Sequence, residues 1–285
     1  MSTFIKKTAS IEEASKSRGS TIITQDHPLP SSLTQETVLS VNHWTDNLFS
    51  FDITRPKAFR FRSGEFIMLG LFDNDKPLLR AYSVTSPTWD DKLSFLSITV
   101  ENGPLSSQLQ YIQNGDKLLL GKKPTGTLTL DALTPAKTLY MFSTGTGIAP
   151  FASLLRDPET YELFQEVILT HTCRTVPELE YGKSLISSLK SDPLVAEFAK
   201  NRVIHFTSVT QENYHSVGRI TSLINNGELF SDIGKPPLTP NTDRVMICGS
   251  IDMLKDISAI VKAKGFNEGT NAAPGEFLKE KAFAD

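Results

Sequence analysis

The chain has 285 residues, about two domains at the usual size of roughly 150 residues, and its 29 Lys and Arg against 32 Asp and Glu give a formal net charge of −3. This near balance, with 39% hydrophobic and 21% charged residues, excludes disorder over the full length, a collagen-like fibre and a surface built mainly to neutralise nucleic-acid phosphates. No run approaches the ~20 apolar residues of a membrane-spanning helix, and two cysteines, Cys173 and Cys248, fit a reducing, cytoplasmic compartment.

Residues 1–33 are predominantly polar, and no continuous apolar core follows Lys6 and Lys7. A secretory signal needs such a core, so we expect a flexible arm that ends near Pro28-Leu29-Pro30. A short docking segment, or a helix at about Ile11–Lys16, is the alternative for this stretch.

From residue 34 to about residue 134, apolar residues alternate or form short runs between turn residues. We expect strands at Val38–Val41, Leu48–Ile53, Ala58–Phe61, Phe66–Leu71, Leu79–Thr85, Leu93–Val100 and Lys117–Leu120. Closely spaced short strands predict an antiparallel β-barrel. One helix is expected within it, at Leu105–Ile112.

From residue 135 to residue 285, strands alternate with helices. The expected strands are Thr138–Phe142, Glu166–Thr170, Arg202–Ser208 and Arg244–Cys248. The expected helices are Ile148–Leu155, Glu178–Leu189, Pro193–Ala199, Ile220–Ile224 and Ile251–Lys264. This alternation predicts an α/β domain with a parallel sheet covered on both faces.

The tetrapeptide Arg80-Ala81-Tyr82-Ser83 ends an apolar strand with side chains suited to a cofactor. An Arg guanidinium can pair with a phosphate, and the Tyr82 ring, two positions later on the same face, can stack on a flat heterocycle. Ser83 adds a small hydroxyl on the other face. An ordinary strand with one Arg and one Tyr is the alternative.

The segment Gly103-Pro104-Leu105-Ser106-Ser107 stands at the start of the expected helix in the first domain. The N–H groups of a first helical turn lack intrahelical partners, so together with two hydroxyls they can bind an anion. Plain N-capping by a Ser explains the same pattern equally well.

The strongest local signal is the segment Ser143-Thr144-Gly145-Thr146-Gly147-Ile148-Ala149-Pro150, which follows a buried strand and opens a helix. Its glycines let the backbone approach a pyrophosphate, and the helix N-terminus supplies positive potential. Pro150 stands where a dinucleotide fingerprint has its third glycine, and it suits the first turn of a helix. A tight turn without a ligand is the alternative.

Two arginines stand at the predicted carboxyl edge of the parallel sheet, in Thr172-Cys173-Arg174 and in Gly218-Arg219-Ile220. Ligands of open parallel sheets bind beyond the carboxyl ends of the strands. Two guanidinium groups there could select a nucleotide that bears a 2′-phosphate. Two solvated arginines are the alternative.

Cys248-Gly249-Ser250 ends another strand, where a Cys beside a Gly can lie under a flat ring. A buried, inert Cys is the alternative. No base is adjacent in sequence, so a covalent nucleophile is not expected. His171 and Cys173 are too sparse to predict a metal site, and the sequence has no close Cys/His cluster.

In this order and spacing, from about Leu39 to Asp285, the motifs resemble those of bacterial-type ferredoxin–NADP reductases. Lys123-Pro-Thr-Gly-Thr-Leu128 and Lys281-Ala-Phe283 belong to the same resemblance. The resemblance implies an FAD-binding antiparallel β-barrel at residues 34–134. It also implies an NADP-binding α/β domain at residues 135–285, with a five-stranded parallel sheet and a C-terminal tail that contacts the flavin.

The resemblance implies FAD contacts from both domains. Arg80 and Ser106 would hold the pyrophosphate, Tyr82 would stack on the isoalloxazine, and Ser83 would approach its N5. The expected FAD contacts are Arg80, Ala81, Tyr82, Ser83, Leu96, Ser97, Ile98, Pro104, Leu105, Ser106, Thr146 and Ala282.

For NADP(H), the resemblance implies that Arg174 and Arg219 clamp the 2′-phosphate and that Cys248 lies near the nicotinamide C4. The remaining expected contacts are Cys173, Thr210, Ser250 and Asp256. One departure is Gln211, where relatives commonly have an Arg, which weakens the expected preference for NADP over NAD. A second is the short tail after Ala282, which has no terminal Tyr to stack on the flavin.

The resemblance implies that the protein exchanges a hydride between NADP(H) and FAD, with Tyr82, Ser83 and Cys248 at the reacting centre. It also implies that the protein exchanges single electrons with ferredoxin or flavodoxin. A reductase of the same fold that serves an oxygenase or a haem-degrading system is the alternative. We expect a monomer with no nucleic-acid or membrane partner. An acidic electron carrier could dock on four basic residues, Arg60, Arg62, Lys122 and Lys123.

Overall fold

The computed structural model describes residues 29–282, so most of the expected N-terminal arm and the tail from Phe283 lie outside the described residues. Within residues 29–282, no helix is long and apolar enough to cross a membrane. Two sheets organise this part of the chain, an antiparallel one followed by a parallel one. The expected domain boundary at residue 134 falls in the connection between them and stays a prediction.

The first sheet is antiparallel and has six strands in the order β4-β3-β6-β1-β2-β5. Its strands are β1 (Leu33–His43), β2 (Leu48–Thr54), β3 (Phe66–Asp73), β4 (Lys76–Ser83), β5 (Lys92–Ile98) and β6 (Lys117–Gly121). The edge strands β4 and β5 meet where the Thr85 N–H donates to the Ser94 carbonyl at 2.9 Å. The expected antiparallel architecture is confirmed. The barrel is open between β4 and β5, because these two edge strands do not pair along their length.

Alternating side chains fill the inside of this sheet. Phe49, Phe51 and Ile53 of β2 are buried, whereas the residues between them are partly exposed. Asn74 and Asp75 join β3 to β4 with φ values of 45° and 65°. Two consecutive left-handed residues form the tight hairpin turn that matches the twist of its strands.

The second sheet is fully parallel, with five strands in the order β11-β10-β7-β8-β9. Its strands are β7 (Thr138–Thr144), β8 (Glu166–Cys173), β9 (Val203–Val209), β10 (Asp243–Gly249) and β11 (Phe277–Lys281). The expected five-stranded α/β architecture is therefore confirmed. Strand β11, which the sequence analysis did not locate, pairs with β10 at one edge.

Helices cover both faces of the parallel sheet, and one short helix lies between β5 and β6 in the chain. The helices are α1 (Ser106–Leu109), α2 (Ala149–Leu155), α3 (Pro158–Leu163), α4 (Glu180–Ser188), α5 (Ala196–Ala199), α6 (Ile220–Asn225), α7 (Glu228–Asp232) and α8 (Ile251–Ala263). Leu139 and Met141 of β7 pack in one core with α2, α4 and α5, and Tyr140 and Phe142 pack in another with α6, α7 and α8. Because successive side chains of a strand point to opposite faces of the sheet, β7 contributes side chains to both cores.

One expected strand is wrong, and two expected helices are shorter than predicted, since only Ala196–Ala199 of the expected Pro193–Ala199 is helical. Ala58–Phe61 is not a strand. The Arg55 guanidinium donates a hydrogen bond to the Phe59 carbonyl at 3.0 Å, so this carbonyl is not available to pair with a neighbouring strand. Phe59 and Phe61 are nevertheless buried. The expected helix Leu105–Ile112 has a single α-helical turn, α1, since the hydrogen bonds tighten to the third residue back at Tyr111 and Ile112.

Hydrogen bonds join the loops beside the first sheet to the helices and strands of the second part of the chain. Ser63 donates its hydroxyl to Asp157 at 2.6 Å, and the Gly64 N–H donates to the buried Ser153 hydroxyl at 2.9 Å. On the other side of the contact, the Thr127 N–H donates to the Glu280 carboxylate at 2.9 Å. These contacts bring the carboxyl ends of β7, β10 and β11 against the first sheet.

Candidate active site

A cleft of about 810 Å³ lies between the two sheets. Strands β4 and β5 and the segment before α1 line one side, and the turn after β7 and the ends of β10 and β11 line the other. All twelve residues of the expected FAD set lie along it, as do Cys248 and Ser250. The structure therefore brings together motifs that are up to 202 positions apart between Arg80 and Ala282.

The first side of the cleft is an aromatic and hydroxyl surface. The Tyr82 hydroxyl lies 3.2 Å from the Ser97 hydroxyl, and the Tyr82 ring meets the edges of Phe51 and Phe95. Burial raises the pKa of Tyr82, so its phenol is uncharged at neutral pH. Arg80 of the same strand donates to the Leu79 carbonyl at 2.9 Å and places a guanidinium at the rim.

The segment before α1 folds back on itself. Ser106 does not cap the helix, since the N-cap is Leu105; instead its hydroxyl accepts from the Val100 N–H at 3.1 Å. A Cβ on Gly103 would lie 2.6 Å from the Ser106 hydroxyl oxygen. Glycine is thus required there, because any larger residue would push the serine out of this turn.

The glycine turn after β7 touches the end of β10. A Cβ on Gly147 would lie 2.2 Å from the Cys248 carbonyl oxygen, and Gly145 has a φ of +52°, a conformation that favours glycine. Between them, the buried Thr146 hydroxyl lines the cleft and has no hydrogen-bond partner among the described residues. A buried hydroxyl without a partner is costly, so this one fits a bound ligand that supplies the missing hydrogen bond.

At the end of β10, burial and the nearby Glu280 carboxylate raise the pKa of Cys248 well above its ordinary value. The thiol is therefore protonated at neutral pH, in agreement with the expectation that it is not a covalent nucleophile. Glu280 lies beside Cys248 in the β10–β11 register. Burial raises the pKa of Glu280 to about 7, against the opposing effect of the Thr127 hydrogen bonds.

Comparisons with known proteins agree with this geometry. The family model of the oxidoreductase NAD-binding domain matches residues 141–259. The flavodoxin/ferredoxin–NADP reductase of Rhodobacter capsulatus is 52% identical over 249 residues, 87% of this chain and 92% of the relative. The ferredoxin–NADP reductase of Azotobacter vinelandii is 46% identical over 256 residues, 90% and 99% of the two chains. The chain belongs to the ferredoxin–NADP reductase family.

A solved structure supports the same conclusion. The ferredoxin NADP+ reductase of Neisseria gonorrhoeae, solved with bound FAD and NADP, has a TM-score of 0.80 and 32% sequence identity, covering 89% of this chain and 100% of that one. The resemblance inferred from the motifs is thus confirmed. Relatives named as flavodoxin or ferredoxin reductases favour that function over a reductase of an oxygenase or haem-degrading system.

Five residues of the expected NADP set lie away from the lining of the large cleft. Four of them gather at the carboxyl ends of β8 and β9, where the Thr210 N–H donates to the Cys173 carbonyl at 3.1 Å and Gly218 donates to Val209. Arg174 and Arg219 are both exposed there. The fifth, Asp256, lies on α8.

Two functional candidates of this reductase escaped the sequence analysis. Glu280 was missed because its strand has no alternating pattern, and only the pairing of β11 with β10 places it beside Cys248. His171 was noted only as too isolated for a metal site. In the folded chain its Nε2 lies 3.1 Å from the Gly145 carbonyl oxygen, directly against the glycine turn.

Acid should destabilise this reductase through two histidines, the buried His171 and the partly buried His205. Burial lowers the pKa of His171 to about 3 and that of His205 to about 4, whereas both take up protons near pH 6.5 when the chain unfolds. Their contribution to the free energy of unfolding is complete above pH 6.5 and is lost as the pH falls toward these folded-state values. At pH 5 each histidine should cost about 2 kcal/mol.

The measurement is urea unfolding at pH 7 and pH 5, followed by circular dichroism, for the native chain and for His205→Gln. Because the variant lacks one of the two imidazoles with a lowered pKa, its loss of stability between the two pH values should be smaller by about 2 kcal/mol. Equal losses in the two proteins would show that His205 is not held neutral.

Proposed function

We propose that the chain exchanges a hydride between NADP(H) and FAD in the cleft between its two sheets, and exchanges single electrons with ferredoxin or flavodoxin. The observation that supports this best is the convergence of Tyr82 and Ser83 from one sheet with Thr146 and Cys248 from the other. The names of relatives at 46–52% identity point to the same activity. We further propose that it acts as a monomer in the cytoplasm, where its two free cysteines stay reduced.

The residues present fit FAD. Arg80 supplies the positive charge that a pyrophosphate needs, and Ser106 adds a hydroxyl whose position is fixed by the Val100 N–H. The backbone at Pro104 and Leu105 lies along the same wall. The unpartnered Thr146 hydroxyl gives the second domain a direct hydrogen bond to the cofactor.

The reacting end of the site is proposed to lie at Tyr82 and Ser83. When bound, FAD supplies the step between two-electron hydride chemistry and single-electron transfer. The buried Tyr82 ring offers a flat apolar surface for stacking, and the Ser83 hydroxyl can donate a hydrogen bond to the cofactor ring. Leu96, Ser97, Ile98 and Ala282 enclose the same space and exclude water.

The nucleotide is proposed to extend from Cys248 and Ser250 toward the ends of β8 and β9. Arg174 and Arg219 can pair with its 2′-phosphate, with Cys173, Thr210 and Asp256 along its path. Gln211 follows Thr210, and its N–H donates to the Arg174 carbonyl at 3.0 Å. An uncharged side chain beside Arg174 leaves the site with one cation fewer than an Arg would supply, so the preference for NADP over NAD is reduced.

The proposed docking surface for an acidic electron carrier consists of Arg60, Arg62, Lys122 and Lys123, all of which are exposed. Arg62 is paired with Glu65 at 3.0 Å and with Asp131 at 2.7 Å. Its charge is therefore largely balanced within the chain. We assign most of the attraction to the other three residues.

The hydride-transfer step can be tested at Ser83. FAD-loaded protein mixed with NADPH in a stopped-flow instrument should lose its flavin absorbance rapidly, and Ser83→Ala should slow this by about tenfold, the value of one hydrogen bond of about 1.4 kcal/mol. Ser107→Ala is the control, because Ser107 belongs to a site motif but does not line the cleft. No bleaching of the native protein would refute the proposed function, and an unchanged rate in Ser83→Ala would refute the role of Ser83.

The docking surface can be tested by charge reversal. Arg60→Glu combined with Lys123→Glu should raise the KM for ferredoxin severalfold at low salt, and the difference should shrink as salt screens the charges. Lys190→Glu combined with Lys200→Glu changes the net charge equally at exposed positions of the other domain. Equal KM values for the two double variants at all salt concentrations would refute this docking surface.

A further inference from the structure

A buried pair that the proposed function does not use lies directly behind the glycine turn. His171 and Cys173, both on β8, are 1% and 5% exposed. The His171 Nε2 lies 3.1 Å from the Gly145 carbonyl oxygen and 3.2 Å from the Cys173 sulfur. The Gly145 backbone lowers the pKa of the Cys173 thiol, against the larger effect of burial. One residue of the turn, Gly145, therefore faces two side chains of the neighbouring strand.

Gly145 is the residue of the turn whose backbone conformation most needs contacts from neighbouring elements. Its φ of +52° is left-handed, and a Cβ built on it would meet no atom within 4 Å. No atom therefore packs against Gly145 on the side where a side chain would lie. The hydrogen bond to the Gly145 carbonyl supplies a directional restraint that packing lacks, and the next residue is Thr146, whose hydroxyl lines the cleft.

Of the two ring nitrogens of His171, only Nε2 has hydrogen-bond partners among the described residues. Its Nδ1 is buried without a hydrogen-bond partner in the described part of the chain and lies against Gly182 of α4, where a Cβ would approach it to 2.7 Å. The His205 ring stacks on it at 6.5 Å between centroids. A neutral imidazole in this place satisfies the Gly145 carbonyl by donating from Nε2.

We propose that His171 is a positioning residue for the glycine turn, which it holds in shape for the diphosphate and nicotinamide half of NADP(H). It acts through the Gly145 peptide and does not touch the nucleotide. The inference rests on the proposed function, which has that nucleotide begin at Cys248, directly against Gly147 of the turn. It predicts that losing the donor weakens binding of the whole dinucleotide and spares ligands that reach only Arg174 and Arg219.

The test compares two probes, NADP+ and 2′-AMP, titrated into FAD-loaded protein, with NADP+ read from the flavin difference spectrum and 2′-AMP from calorimetry. His171→Leu keeps an apolar side chain of similar bulk and removes the donor. It should raise the Kd of NADP+ at least tenfold and change the Kd of 2′-AMP by less than twofold. His171→Gln places an amide donor near the Nε2 position and should restore most of the affinity for NADP+.

Two further variants separate positioning from general damage. His205→Leu removes the stacked imidazole, whose Nε2 has no partner in the described residues, and should leave both Kd values unchanged. Gly182→Ala keeps His171 but pushes on its Nδ1, so it should weaken NADP+ binding even if His171→Leu does not fold.

Each outcome has a distinct meaning. Equal weakening of NADP+ and 2′-AMP by His171→Leu, or an unchanged Kd of NADP+ in both His171→Leu and Gly182→Ala, would overturn the positioning role. Failure of the native, FAD-loaded protein to bind NADP+ at all would instead overturn the proposed function on which this inference rests.

Discussion

The hydrogen bonds that join the part of the chain around the first sheet to the part around the second are the constraint on which the rest of the structure depends. The Gly64 N–H meets the buried Ser153 hydroxyl, and the Glu280 carboxylate accepts from the Thr127 N–H. The Gly64–Ser153 hydrogen bond is buried, and a buried donor or acceptor left without its partner costs about 1–3 kcal/mol, so this contact does most to fix how the sheets meet. The cleft exists only in that arrangement, because each sheet supplies one of its sides.

The lining of the cleft is mainly apolar, and most of its residues are uncharged. Burial keeps the Tyr82 phenol and the Cys248 thiol protonated at neutral pH, and the proposed charge on the cofactor side comes from Arg80 at the rim. Such a site suits a reaction in which the cofactor performs the chemistry while the protein supplies position and shape. The shape of the cleft tolerates a side chain least at two glycines, Gly147 against Cys248 and Gly103 against Ser106.

The sequence predicted the sheets and the cleft lining because glycine turns and functional residues follow the apolar runs that form strands. It failed at Ala58–Phe61, where burial alternates as in a strand but the Arg55 guanidinium takes the backbone acceptor. Glu280 and His171 could not be found from sequence, since their roles depend on β10–β11 pairing and on the approach of β8 to the glycine turn. Neither relation is encoded in local spacing.

The most direct test of the central claim, one cleft for FAD that is reduced by NADPH, is an anaerobic absorbance titration. The chain is reconstituted with FAD, freed of excess cofactor and titrated with NADPH, and a second sample is titrated with NADH. The account predicts a yellow flavin band that bleaches at about one equivalent of NADPH, because one hydride brings both electrons that the flavin accepts. Absence of a flavin band after reconstitution, or a band that excess NADPH leaves unchanged, would contradict it.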